Sequence, residues 1–367
     1  MSATSRTHSW ILVGLAMALG ACAHVKPLKP GEALTEAQRD NAIRRASVWS
    51  PTDIPKLDLK MGPSAKGALA PEAWVDCTYK ENDTTGHSPK FDCETSPGKK
   101  VKVKYGARNA EVFGEVLSTR LFWALGFAAD RMYPVRVRCH GCPADPKASP
   151  EATTGVAVFD PAAIEQKLPG RPMETHTDSG WKWSELEEIG PEAPANARAQ
   201  RDALKLLAAF VQHTDSKSAN QRLLCPAGEE IGATGCRRPV LMINDLGLTF
   251  GHAGLLIKNK NSVSLDTWAE VPVWKDTPGC EAELNGSLTG SLSSPRISEA
   301  GRAFLAGLLV QLSDAQLRDL FETARVERRS SDPSGDPAKD APPARIDAWL
   351  AAFKAKRAQI VDRKCPQ

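Results

Sequence analysis

A set of polar positions recurs along the chain in an order that suits one kind of chemistry. Lys102 and Lys104 share one face of the alternating run Lys99-Lys-Val-Lys-Val-Lys-Tyr105, and Val101, Val103 and Tyr105 share the other. Glu111 and Glu115 follow, four residues apart, so a helix would carry both on one side. Later, an apolar helical pattern ends in His213-Thr-Asp215-Ser-Lys217-Ser-Ala-Asn220. An apolar strand pattern then delivers Asn244-Asp245-Leu-Gly247 and Thr249-Phe-Gly251. Phosphoryl transfer asks for a lysine on the phosphates and a glutamate holding it. It also asks for a carboxylate beside the acceptor hydroxyl, and for an Asn and an Asp on a divalent metal. Each piece alone has a plainer meaning: a solvated face, a turn after a helix, a turn after a strand. Their order joins them.

The elements that would position these residues are legible from periodicity. Period-2 runs at 73–79, 99–105 and 133–139 read as strands. A helix is expected from about Asn109 to Leu125, striped by Val112, Val116, Leu117, Leu121 and Leu125 and stopped by Gly126. A second strong helix is expected over 198–213, a short strand over 239–243, and further helices near 297–311, 313–325 and 345–361. A strand-rich front with one helix, followed by a helical back half, is an α+β class with segregated elements. Residues 22–60, punctuated by Pro27, Pro30, Pro51 and Pro55, read as a tether with one short helix over 35–47. Residues 327–344, rich in Ser, Asp and Pro, read as a flexible surface insertion.

At this point the chain resembles the protein-kinase-like superfamily in its atypical branches. Glu115-Val-Leu-Ser-Thr-Arg-Leu-Phe-Trp-Ala-Leu-Gly126 is similar to the glutamate-bearing helix of HipA-type kinases, and 213–220 to their catalytic loop. Asn244-Asp-Leu-Gly-Leu-Thr-Phe-Gly251 resembles the metal-binding segment of HipA-type, phosphoinositide-type and secretory-pathway kinases. The resemblance spans about 60–325. It implies a bilobal fold, with a strand-rich N-lobe over 61–180 and a helical C-lobe over 181–367. It implies that Lys104 binds phosphate with Glu115 as its partner, and that Lys102 and Glu111 are the alternates. Asp215 would act as base or hydroxyl-orienting carboxylate, Lys217 would neutralise the transferred phosphate, and Asn220 and Asp245 would hold metal. The implied cofactor is ATP or another nucleotide with Mg or Mn. The stretch 62–67 stands where a nucleotide-covering loop belongs, yet it lacks the Gly-x-Gly-x-x-Gly pattern and also reads as a plain turn. Trp181 and Trp183 read either as a stacking pair for a base or as core. His213 reads as a packed structural histidine. The chain departs from typical kinases in having Thr214 where an Arg belongs and in lacking an Ala-Pro-Glu segment. Asn220 and Asp245 also stand farther apart, with Cys225 and Cys236 between them.

Composition sets the compartment. The 367 residues carry 47 Lys and Arg against 44 Asp and Glu, so there is no electrostatic case for nucleic acid. Residues 1–21 have an apolar run too short to span a bilayer and end in Leu19-Gly-Ala-Cys22. They resemble a lipoprotein leader with lipid on Cys22, the alternative being an ordinary signal peptide. The expected partner is then the bilayer, reached through that anchor, and Ala23 favours the outer membrane in a Gram-negative host. Of nine cysteines, Cys22 leaves eight, and an exported chain with an even set reads as disulfide-bonded. Chain proximity pairs Cys77 with Cys93, Cys139 with Cys142 and Cys225 with Cys236, leaving Cys280 with Cys365. Cys139-His-Gly-Cys142 lacks the second close pair that zinc needs and the His that haem attachment needs, so a structural bridge is expected. No Gly-x-Ser-x-Gly, His-Glu-x-x-His or Walker A pattern is present. The functional expectation is metal-dependent phosphoryl or nucleotidyl transfer to an envelope or extracellular acceptor. The alternatives are a pseudokinase-type binding module and a structural envelope lipoprotein.

Overall fold

The computed structural model describes residues 33–366 apart from 82–85, 87, 97, 178, 252–261, 285–288, 291 and 331–343. The leader, Cys22 and most of the expected 327–344 insertion therefore lie outside the described residues. The architecture is mixed α+β.

Strands β1 (Ala73–Lys80), β2 (Lys90–Thr95), β3 (Lys99–Tyr105), β4 (Arg131–His140) and β5 (Val156–Gln166) close into a barrel in the order β1-β2-β3-β5-β4. Four of its pairings are antiparallel. The fifth, β1 on β4, is parallel and sets Cys77 opposite Cys139. Alternation along each strand fills the barrel with Tyr79, Phe91, Val101, Val103, Tyr105, Tyr133 and Phe159. It turns Lys100, Lys102 and Lys104 outward. The bridges Cys77–Cys93 and Cys139–Cys142 close within this small core.

Helix α2 (Glu111–Ala124) runs between the barrel and the rest of the chain and is buried on almost every side. That explains its weak apolar stripe, because a helix enclosed all round has no solvent face to mark. Gly126 ends it at φ +84°, where a side chain would collide with the Ser50 carbonyl.

The remaining core is built on α1 (Glu36–Arg45), α3 (Ala197–Phe210), α4 (Leu265–Glu270), α5 (Glu299–Leu309), α6 (Asp314–Thr323) and α7 (Ile346–Asp362). A three-stranded sheet joins β6 (Gly170–Pro172), β8 (Gln221–Pro226) and β11 (Val240–Ile243) in the order β11-β8-β6. Between β8 and β11 a small hairpin, β9 (Glu230–Ile231) and β10 (Gly235–Cys236), is tied by Cys225–Cys236. Two further short strands, β7 (Asp215–Ser216) and β12 (Thr289–Gly290), pair in parallel. Cys280–Cys365 pins the end of the chain. Three bridges join the cysteines that chain proximity pairs, and the fourth joins the expected remaining pair.

One expectation is corrected. The described part of the tether is core rather than linker. Ala42, Ile43, Ala46, Val48, Ile54 and Leu59 are each 0–1% exposed. Ser47 bridges to Val240 and Trp49 to Phe127. Buried Arg201 donates to the carbonyls of Ile43 and Ala46, binding α1 to α3. Each fully buried Ile, Val or Leu side chain here contributes roughly 1.5–3 kcal/mol. Among the described residues no helix is long and apolar enough to cross a membrane.

Candidate functional site

Lys104 sits on the outward face of β3 and is only 4% exposed. Its Nζ donates to Glu111 Oε2 at 2.6 Å and to Glu115 Oε1. Both glutamates of the first helical turns thus meet one lysine, and the choice between them that spacing leaves open does not arise. Lys102, two residues earlier, pairs instead with Glu165 on β5 at 3.2 Å. Ser88, at the entry to β2, donates to the other oxygen of Glu111.

Asp245 completes the group. Carboxylate oxygens of Glu111, Glu115 and Asp245 lie within 4.8 Å of one another. Burial raises the Glu115 carboxyl well above the ordinary range; Lys104 opposes this, and the charges of Asp245 and Glu111 add to it. Burial also pushes Asp245 up, but Lys104, a hydrogen bond from Glu115 and the Gly247 N–H outweigh it and hold Asp245 below the usual carboxylate range. Burial lowers Lys104, and the three surrounding carboxylates more than reverse that. These shifts favour the charged forms of Lys104 and Asp245 and work against the charged form of Glu115.

Asp215 arrives by a different route. After α3 the backbone turns at Gln212 (φ +54°), and His213 N–H donates to the Ala208 carbonyl at 2.8 Å. Asp215 is half-buried and accepts from Lys217 Nζ at 2.9 Å. Asn220 joins this loop to the Asp245 segment. Its Nδ2 donates to the Asp215 carbonyl at 2.7 Å, and its own carbonyl accepts from the N–H groups of Asn244 and Asp245 at 2.9 and 3.3 Å. Lys104, Glu111, Glu115 and Asp245 thus form one contact group, and Asp215, Lys217 and Asn220 are bonded to it through backbone.

The tryptophan pair is core. Trp181 and Trp183 are buried, with ring centroids 5.0 Å apart in an edge arrangement. Trp181 Nε1 donates to the Met242 carbonyl and Trp183 Nε1 to the Ser216 carbonyl, both at 3.1 Å, so they brace the two segments that carry Asp245 and Asp215. His213 is 1% exposed, and neither ring nitrogen has a hydrogen-bond partner among the described residues. Burial lowers its pKa to about 4, against the pull of Asp215 and Asp245, so it is a neutral packing group. The 62–67 stretch packs Gly62 against the Arg120 guanidinium, and Gly67 accepts from Gln166.

Sequence reading passed over Gly114 and took Gly247 only as part of the Asp-x-Gly turn. Gly114 lies in the middle of α2, against the carbonyl of Gly247 in the turn after Asp245. A side chain at Gly114 would strike the Gly247 carbonyl, and one at Gly247 would come within 2.6 Å of Glu111 Cγ. Beside them Ser118 Oγ and Thr249 Oγ1 are hydrogen-bonded at 2.7 Å. A glycine in a helix interior costs about 1 kcal/mol relative to alanine, and that cost was the available signal.

No family model matches the chain, and no curated protein matches it by sequence. Among solved structures it is similar to the Helicobacter pylori proinflammatory kinase CtkA, at 9% identity and a TM-score of 0.39, over 78% of this chain and 94% of that one. At that level the likeness defines no family.

Proposed function

We propose that the protein is an exported, lipid-anchored, kinase-like phosphotransferase. In this reading the barrel with α2 forms one lobe, the helical half the other, and phosphoryl or nucleotidyl transfer takes place where they meet. The observation that carries it is the meeting of Lys104 with Glu111, Glu115 and Asp245, together with the Asn220 link to Asp215. These residues come from four separate stretches of chain, and a merely solvated charged face would not bury them together.

The roles follow from the chemistry of each group. Lys104 binds the nucleotide phosphates and is oriented by Glu115 and Glu111. Asp215 accepts from or orients the acceptor hydroxyl, and Lys217, exposed beside it, neutralises incoming charge. Asp245, held ionised, and Asn220, whose carbonyl accepts from the Asp245 N–H, offer hard oxygen donors that suit Mg or Mn. The metal would supply neutralisation of phosphate charge. The leader ending at Cys22 supports a lipid anchor and an outer-membrane location, and four disulfides are in keeping with an oxidising compartment.

The test is transfer of label from γ-labelled ATP, with Mg²⁺ or Mn²⁺, by the oxidised protein to envelope fractions or to itself. Label that appears with the wild type and is lost in Asp215→Ala supports the reading. Absence of transfer, with no nucleotide-dependent thermal shift in either the wild type or Asp245→Ala, rejects it. The second reading, a binding module without catalysis, is favoured by one observation: Lys104 is already enclosed by two glutamates and nearly inaccessible.

A further inference from the structure

Outside the Lys104 group, one cavity has a charge that the rest of the chain does not. It has a volume of about 1370 Å³ and lies against β1, β2, β3 and β5, walled by the 65–67 loop and the residues just after β5. Seven cationic side chains and three carboxylates line it, whereas the whole chain is close to balanced at 47 against 44. The cavity's basicity is therefore local and does not reflect the composition.

Two of the carboxylates are already engaged with cations of the same cavity: Asp92 with Lys100 at 2.8 Å and Glu165 with Lys102 at 3.2 Å. The third, Asp76, faces Arg138 outside it at 2.9 Å. Lys66, Lys99, Arg131 and Lys167 line the same space and form no ion pair with any described carboxylate. Lys90, also in the wall, is held below its ordinary pKa first by burial and then by the repulsion of Lys104 and Lys102, with Glu111 and Asp245 opposing. Cations gathered around one half-open cleft, with fewer carboxylates than cations in its wall, focus a positive field that concentrates anions there. The wall also holds Leu69, Val75 and Val101, and its aromatic residue, Trp74, has Arg138 5.1 Å from the ring centroid.

We propose that this cavity is a binding site for a small oligophosphate, an anion with two or more linked phosphate groups. Lysines supply six of the seven cations, and lysine serves phosphate as a mobile point charge, whereas carboxylate recognition favours the planar fork of arginine. One orthophosphate would be neutralised by two of the unpaired cations and would leave the others facing each other, so a longer anion fits the charge. None of Lys104, Glu111, Glu115, Asp215 or Asp245 lines the cavity, but Lys102 and the 65–67 stretch do, so the site adjoins the Lys104 group and the experiment must separate the two.

The experiment is titration calorimetry of the oxidised full chain with sodium tripolyphosphate, at two NaCl concentrations, with adenosine and orthophosphate as comparison probes. The expected result is saturable tripolyphosphate binding that weakens steeply with salt, little orthophosphate binding and none for adenosine. The double variant Lys99→Glu/Lys167→Glu should weaken tripolyphosphate by about tenfold or more. Both side chains are exposed, so the melting temperature should hold. If it falls, Lys66→Gln/Lys167→Gln gives the same readout with less charge change. Asp245→Asn should leave tripolyphosphate binding intact even if it abolishes transfer. Three results would overturn the site: no binding by the wild type, affinity unchanged in the lysine variants, or loss of binding in Asp245→Asn, which would move the anion to the Lys104 group.

Discussion

Gly114 packs against Gly247, whose carbonyl stands where a side chain of residue 114 would be. This contact lets α2 approach the turn that carries Asp245, and through it the Asp245 carboxylate comes within 4.8 Å of the two glutamates that hold Lys104. The closeness of the cluster thus depends on two residues that bear no functional group.

Gly114→Ala should destabilise the protein, although alanine is the better helix former. The propensity gain is about 1 kcal/mol, and overpacking against backbone costs about 1–3 kcal/mol beyond that. Urea midpoints with unchanged slope would show it. A stabilised variant would mean that the two segments are not held in this contact.

Lys104→Met and Glu115→Gln should differ sharply. Without the lysine, Glu111, Glu115 and Asp245 are left together with no cation, a loss of about 3–5 kcal/mol. Glu115→Gln replaces a group already biased toward its neutral form and should cost about 1 kcal/mol or less. The penalty in Lys104→Met should shrink as pH falls, because its carboxylates then take up protons. Denaturation at pH 5 and pH 8 would check both points.

His213 makes the protein acid-sensitive. Its folded pKa of about 4 lies below the ordinary value of 6.5, so the unfolded chain takes up the proton first. The stability it contributes is complete above pH 6.5 and is lost as pH falls toward 4. The loss is about 3 kcal/mol at the linkage slope of about 1.4 kcal/mol per pH unit. His213→Leu should flatten the fall in thermal midpoint between pH 7 and pH 4 relative to the wild type. Parallel curves for the two proteins would contradict a buried neutral histidine.

The bridges should rank by the loops they close. Cys225–Cys236 spans 11 residues and Cys280–Cys365 spans 85. Loop-closure entropy assigns about 3 kcal/mol to the first and about 4–5 kcal/mol to the second. Replacing each pair with serine and comparing unfolding free energies tests the order. The shorter bridge should also affect the site, since its hairpin fills the interval between Asn220 and Asp245.

Local pattern alone determined a good deal of this protein. The alternation of 99–105 separated a core face from a lysine face, because strand periodicity is intrinsic to the backbone. The spacing of Glu111 and Glu115 placed both on one side of a helix, and Gly126 marked where that helix stops. Proximity in the chain paired six of the eight described cysteines, and the remainder, Cys280 and Cys365, pair with each other. What remained depended on contacts between distant segments, which no local period records. The parallel β1–β4 pairing that closes the barrel is one example. The burial of 34–59 is another, since prolines and charges there resemble a linker until α3 and β11 cover them. Only the tertiary structure decided that Lys104 takes both glutamates while Lys102 takes Glu165. Ion-pair choice follows from which strand lies alongside, and that is settled by barrel closure.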